Sequence, residues 1–356
     1  MENPKKDIGI GEAEKAIQKQ LTIRAAVWDI PVAGGKGPAA DGRVYADYEE
    51  VSRLMQEMEQ YQVKKLDISE REKEGSCQDA YEKILCLLRE QGIVEEQAVL
   101  VTADEKLSGY VYSLRQQYTD AGSGGEEIPH GMAAVFYEKD GYQKDAAADI
   151  IVQGFQETGI QFLDRIQKRR NGIPWNILYT KRACVRETAL SDLDELYALY
   201  EGEGITDYTE PLFEREAEEA YTKDYIRCMY YYYGYGMWVV RERQTDRLIG
   251  RAGIGHREQG NEVLAELGYL IGKEYQNQGY AQEVCRAIVE YARDELEITQ
   301  LHCFIHSRNA VSIHVAEKLG FTLCGDGSCP DGQEKMLHYS CSLSELSPGC
   351  LESKKE

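Results

Sequence analysis

"YQNQGYAQEVC" (Tyr275 to Cys285) follows a strand-like run, "EVLAELGYLIG", and inserts two glutamines, an asparagine and a glycine before an amphipathic segment begins. Ala281, Val284, Ile288, Tyr291 and Ala292 recur at helical spacing, so Gly279 opens a helix. A strand that hands over to a helix through a glycine presents unpaired backbone N–H groups at the positive end of the helix dipole. That arrangement is an anion site, and a glycine lets the ligand approach the backbone closely.

The flanking sequence alternates in the same way. "LSDLDELYALYEG" reads as a helix with Ser191 and Asp194 at capping-box spacing, and a second helix is expected over roughly 213–232. "GMWVVRERQTDRLIGRAGI" reads as a hairpin turning near Gln244 to Asp246. "LHCFIH" is a strand, "AVSIHVAEKLG" a short helix closed by Gly320, and "FTLCG" and "KMLHYSCSL" are strands around the polar turn "DGSCPDG". The order β-α-α-β-β-β-α-β-α-β-β predicts a mixed α/β domain.

At 356 residues the chain is expected to form two domains. The Gly and Pro of "NGIPWNILYTKR" (Asn171 to Arg182) place the division near Asn171. The expected organisation is a tail over 1–21, one domain over 22–170, a second over 171–345 and a tail over 346–356. The front half carries the short apolar runs "TIRAAVWDIPV", "QAVLVTADEKL", "GMAAVFYEKDG" and "AADIIVQGFQE" between helical stretches, the pattern of a three-layer parallel α/β sheet.

Composition excludes several classes. With 41 lysines and arginines against 62 aspartates and glutamates, the formal net charge is −21, which repels a phosphate backbone and argues against nucleic acid. The one basic cluster, Lys168-Arg169-Arg170, reads as a helix end or a solvated linker. No apolar run is long enough for a membrane span, and the start lacks a signal-like apolar segment, so a cytoplasmic protein is expected. Ten scattered cysteines without a C-x-x-C pair read as reduced thiols. His302 and His306 lie in a strand with no H-E-x-x-H pattern, so no metal is expected.

Gln276-Asn277-Gln278-Gly279-Tyr280-Ala281 resembles the Q/R-x-x-G-x-G/A signature of GCN5-related N-acetyltransferases (the GNAT family). Asn309 to Ser312, and Glu317-Lys318-Leu319-Gly320-Phe321, resemble the family's later N-x-x-S and E-K-L-G-F elements, and the likeness runs from about 177 to 343. It looks closest to the branch of ribosomal-protein alanine acetyltransferases. The resemblance implies a GNAT mixed α/β fold and transfer of an acetyl group from acetyl-CoA, as co-substrate, to a primary amine of a small molecule or peptide N-terminus. It places the pyrophosphate on Gln278 to Ala281, with Gln276, Asn277, Gly279 and Tyr280 in the same loop. The pantetheine arm would lie beside Leu267 to Gly272, touching Leu270 and Ile271, with Asn309 and Ser312 opposite.

Acyl transfer needs a neutral amine, an alkyl ammonium having a pKa near about 10, and so needs a base. Glu266 is the candidate, with an exposed strand carboxylate as the bland alternative. Relatives commonly place a tyrosine where this chain has Ala316, so protonation of the leaving thiolate falls to Ser312, Tyr339 or solvent. "EGEGITDYTEPLFEREAEEAY" and "MYYYYGYGMW" either cage a cationic amine or are a solvated helix face and a packed helix end. Loss of the tyrosine keeps open a second reading, an inactive acyl-CoA-binding sensor.

The front half resembles haloacid-dehalogenase-like (HAD-like) phosphatases, with Asp29 at the nucleophile position and Asp104 near the late acidic motif. It departs from them at Pro31, which stands where the general acid should be, and in the loop "AGGKGPAADG". The expectation is a non-catalytic HAD-like module, with a residual phosphatase as the alternative.

Overall fold

The computed structural model describes residues 21–30, 32–33, 46–69, 75–120, 130–138, 147–156, 158–260, 262–327 and 335–344. Pro31, residues 34–45 of the glycine-rich loop, the turn over 328–334 and both expected tails except Leu21 lie outside them. The chain divides into two compact units, Met1–Ile173 and Pro174–Glu356.

The first unit is built on β1 (Ala25–Asp29), β4 (Lys64–Asp67), β5 (Ala98–Thr102), β6 (Ala133–Tyr137) and β7 (Ile150–Val152), beside a two-stranded pair, β2 (Val32–Ala33) and β3 (Ala46–Asp47). The five strands are all parallel, in the order β4-β1-β5-β6-β7. β1, β5 and β6 are buried along their whole length, because apolar layers cover both faces. Trp28, Leu54, Met58 and Phe155 pack on one side. Val27, Ile84, Leu88 and Leu107 pack on the other. The helices are α1 (Tyr48–Gln60), α2 (Cys77–Glu90), α3 (Glu105–Asp120) and α4 (Ile160–Arg170).

The winding direction reverses between β1 and β5, where Asp29 ends β1. Its buried carboxylate accepts a hydrogen bond from Thr102 Oγ1 at 2.6 Å. The Asp104 carboxylate accepts from Lys106 N and Leu107 N and so caps α3. The basic cluster at the end of α4 is not solvated. Lys168 Nζ lies 2.7 Å from Asp164 Oδ2, and Arg170 lies 3.7 Å from Asp149 with both side chains buried. A lysine and an arginine two positions apart on a short helix are tolerated in the interior because each meets an internal carboxylate.

The second unit is one eight-stranded mixed sheet in the order β14-β15-β13-β12-β11-β10-β9-β8. Its strands are β8 (Asn176–Tyr179), β9 (Ala183–Arg186), β10 (Met237–Glu242), β11 (Leu248–Gln259), β12 (Glu262–Ile271), β13 (Gln300–His306), β14 (Thr322–Gly327) and β15 (Met336–Ser342). The opening run makes two strands rather than one, since Thr180 to Arg182 form a tight turn closed by Thr180 N donating to Ala183 O.

Its helices are α5 (Leu193–Tyr200), α6 (Arg215–Tyr225), α7 (Tyr280–Asp294) and α8 (Ala310–Lys318), and α6 runs on into a π-helix over Ile226–Tyr233. α7 and α8 cover one face through Val284, Ile288 and Ala316. α5 covers the other through Leu193, Leu196 and Leu199 against Val239, Leu248 and Leu270. The Ser191–Asp194 capping box is not formed. Asp192 instead accepts from Ala189 N, and Asp194 pairs with Arg215. At Gly253 a Cβ would lie 2.2 Å from Gly236 O, so the bend before β10 requires glycine.

Asp164 binds the start of the first unit, accepting from Thr22 N at 2.6 Å, Thr22 Oγ1 at 2.9 Å and Ile23 N at 2.9 Å. Asp164→Ala would remove the acceptor of the Thr22 and Ile23 donors together with the internal ion pair to Lys168. We expect the unfolding free energy read from urea melts to fall by about 3–5 kcal/mol.

Candidate functional site

Gly272 leaves β12, Lys273–Tyr275 form one 3₁₀ turn, and the next residues set the start of α7. The glutamines of the motif hold this turn: Gln276 Nε2 donates to Ile271 O at 2.9 Å, and Gln278 Nε2 to Glu274 O at 2.6 Å. Asn277 and Gly279 both adopt left-handed backbone, with φ of 58° and 81°. Alternating handedness turns successive N–H groups into one concavity, and no side chain caps the helix start. Tyr280 and Ala281 therefore offer their N–H groups outward from the first turn.

Arg182, in the β8–β9 turn, grips this cradle from the side. Its Nη1 donates to Gln278 O at 2.9 Å, its Nε pairs with Glu283 at 2.7 Å, and its guanidinium lies 4.1 Å from the Tyr280 ring centre. Tyr280 Oη donates in turn to Glu242 at 2.9 Å.

β12 pairs with β11 along its whole length, but its parallel pairing with β13 is confined to Glu266 opposite His302. Beyond that point the two strands diverge, leaving Leu267 to Ile271 without a neighbour on the β13 side. Leu270 faces the α5 layer and Ile271 the α7 core, flanking the split. Glu266 sits at its apex. The carboxylate accepts from Phe304 N–H and lies 3.5 Å from Arg257 Nη1. Burial raises its pKa above the ordinary carboxylate range, while the charge and hydrogen bond of Arg257 and the Phe304 N–H only partly oppose the shift.

The same face continues as a stack: the Arg257 guanidinium lies 4.0 Å from the Phe304 ring centre, Phe304 stacks on His338 at 4.5 Å, and His338 Nε2 lies 2.9 Å from His302 Nδ1. Burial, and His338 beside it, lower the His302 pKa.

Across the split, Asn309 caps α8 by accepting from Ser312 N at 3.1 Å. Ser312 Oγ donates to Tyr269 Oη at 3.0 Å, and Tyr269 Oη donates to Ser312 O at 2.8 Å. Tyr269 thus ties β12 to α8 over the gap, and burial raises its pKa strongly. Tyr339 is elsewhere. It is 4% exposed within the core under α7 and α8, hydrogen-bonded to Glu317, on the face of the sheet opposite Glu266.

The acidic and aromatic stretches divide their work. Glu218 is buried and accepts from Phe213 N, so it shapes its own loop. Tyr225 Oη accepts from Met237 N and Tyr230 Oη donates to Met237 O, which packs the π-helix on β10. Tyr208 reaches the ring of His306, with centroids 5.1 Å apart, at the end of β13. Tyr232 stays 81% exposed.

Residues 182–322 match the model of the acetyltransferase (GNAT) domain. The C-terminal half of the chain carries a GNAT acetyltransferase domain. The chain is 33% identical over 88 residues to the uncharacterized protein YkkB of Bacillus subtilis (strain 168), covering 25% of this chain and about half, 51%, of that protein. It is 28% identical over 169 residues to the uncharacterized N-acetyltransferase YnaD of the same organism, covering 47% of this chain and 95% of the relative. Among solved structures, a ribosomal-protein-S5-alanine acetyltransferase from Vibrio fischeri aligns at 16% identity and a TM-score of 0.42, over 48% of this chain and 98% of its own.

The residues whose order resembles the GNAT motifs lie on the split itself: the cradle at one wall, Asn309 and Ser312 at the other. Arg182, Arg257 and Tyr269 were not legible beforehand. Arg182 is distant in sequence from the loop it grips, and Arg257 and Tyr269 carry only the alternation of their strands. Tyr269→Phe should leave Ser312 Oγ without its acceptor and lower stability by about 1–2 kcal/mol in denaturant titrations.

Proposed function

We propose that this chain transfers an acetyl group from acetyl-CoA to a primary amine, the bond formed being C–N and the bond broken the thioester C–S. The single observation that carries the reading is the split between β12 and β13, with a left-handed N–H cradle at one wall and a desolvated carboxylate at its apex. The cradle of Gln278 to Ala281 would take the pyrophosphate, helped by Gln276, Asn277 and the Arg182 guanidinium. The pantetheine amides would pair with the free edge of β12 near Leu270 and Ile271, with Asn309 facing them.

Glu266 would accept the ammonium proton. Its raised pKa narrows the gap to the amine and so favours proton transfer. Return of a proton to the leaving thiolate is assigned to the Ser312–Tyr269 hydroxyl pair. Tyr339 is set aside for that role because its hydroxyl is spent on Glu317 within the core under α7 and α8.

For the first unit we propose a non-catalytic, HAD-like module. The parallel sheet and the position of Asp29 at the end of β1 support the likeness, and the Thr102 hydroxyl on Asp29 supports a structural carboxylate. Magnesium-dependent hydrolysis of a phosphate ester, lost in Asp29→Asn, would refute that proposal.

Thiol release from acetyl-CoA against a panel of amines tests the transferase reading. Gly279→Glu, whose side chain would fill the cradle at an unfavourable φ, should abolish acetyl-CoA binding by calorimetry. Glu266→Gln should lower kcat/KM by roughly 100-fold or more while leaving that binding intact. Release that needs no acceptor, or that survives both changes, would refute it. Glu266 must be ionised to act, so kcat/KM should rise with pH through its raised pKa. Arg257→Gln removes an opposing positive charge and should move that limb to still higher pH.

A further inference from the structure

The face of the sheet that carries Glu266 holds a guanidinium for which acyl transfer itself has no use. Arg251 on β11 is the register partner of Leu270, as Gly255 is of Glu266. Strand alternation puts it on the α5 side, in line with Arg257. Its Nη1 donates to Tyr200 Oη at 3.2 Å, while its Nε is sealed from solvent with no hydrogen-bond partner among the described residues. Neighbouring arginines of the same layer are treated differently: Arg186 pairs with Asp192, and Arg241 with Asp192 and Glu195.

Around Arg251 stand phenols instead, those of Tyr200, Tyr225 and Tyr230, with Tyr221 at the rim. They do not supply the missing counter-charge. Burial pushes the Tyr225 hydroxyl up to about 12, so it stays neutral, and the Tyr225 and Tyr230 oxygens are committed to Met237. A guanidinium cannot shed its proton in a protein, and burying one without an anion is strongly disfavoured.

We infer that Arg251 is the specificity residue for the acceptor and receives a carboxylate carried by the amine substrate. A planar carboxylate matches the pair of terminal Nη–H groups of the guanidinium, and tyrosine rings would wall its alkyl portion. About 13 Å of strand separates the Arg251 and Glu266 registers, a span on the scale of a short peptide or an amino acid with an extended side chain. The acceptor class is therefore an amine that bears a carboxylate. This deepens the acetyl-transfer reading and rests on it for the identity of the reacting group.

The test pairs β-alanine, glycylglycine and lysine with their C-terminal amides in the thiol-release assay. In parallel, calorimetry with coenzyme A measures binding of the N-acetylated acids and amides to the full chain. Wild-type protein should favour the acids by roughly 30-fold or more, in turnover and in binding, and Arg251→Gln should remove that preference. Equal use and equal binding of acid and amide by the wild type overturns the inference whatever the variant does, and leaves acetyl transfer standing. Acid-selective binding lost in Arg251→Gln, without turnover of any amine, keeps the carboxylate site and overturns the transferase reading. A preference that survives in Arg251→Gln marks the arginine as structural and overturns the inference.

Discussion

The C-terminal unit depends on a parallel strand pair that is bonded at one point and open beyond it. β12 and β13 meet at Glu266 and His302 and then separate. Parallel strands that diverge leave backbone donors stranded at the junction, and each must be satisfied. Here the Glu266 carboxylate meets the N–H of Phe304, replacing a carbonyl that β12 no longer brings close enough. Tyr269 and Ser312 close the far side, so two side-chain bridges hold apart what a regular ladder would have drawn together.

Much of this architecture was legible before any coordinates. The turn from β12 into α7 could be read because glycine and amide side chains at a strand end have few other uses. The hairpin near Gln244 to Asp246 and the helix closing at Gly320 were legible because turn chemistry is local. What escaped was long-range or within the noise of short elements. The opening hairpin was read as one strand because β8 and β9 have four residues each and the turn between them lacks both glycine and proline. The proposed capping box does not form because the chain already turns at Leu190, where Asp192 accepts from Ala189 N and also meets Arg186. Lys168, Arg169 and Arg170 do end a helix, as one of their two readings had it, but a sequence does not reveal which carboxylates the fold will bring to them.

The site divided along the same line. Residues tied to a local backbone shape, from Gln276 to Ala281 and Asn309 to Ser312, could be listed from their order. Arg182, Arg257 and Tyr269 act through contacts made by the sheet, and Tyr339 shows the converse: a plausible residue type whose hydroxyl the fold commits to Glu317. In the first unit, Asp29 and Asp104 are both where a parallel sheet puts its loop ends, but their oxygens serve Thr102 and the start of α3.

The bond between Glu266 and Phe304 means that one carboxyl group belongs both to the backbone ladder and to a titration. Because burial favours its neutral form in the folded chain, the native state binds this proton more tightly than the unfolded state does. Between the ordinary glutamate value and the raised one, each increment of pH therefore subtracts from folding stability. The ionised form is one that the rest of the sheet must sustain. A structure optimised for cohesion alone would not hold a charged oxygen at the apex of an opened sheet, so the ionised carboxylate is a standing cost carried by the cores packed on either face.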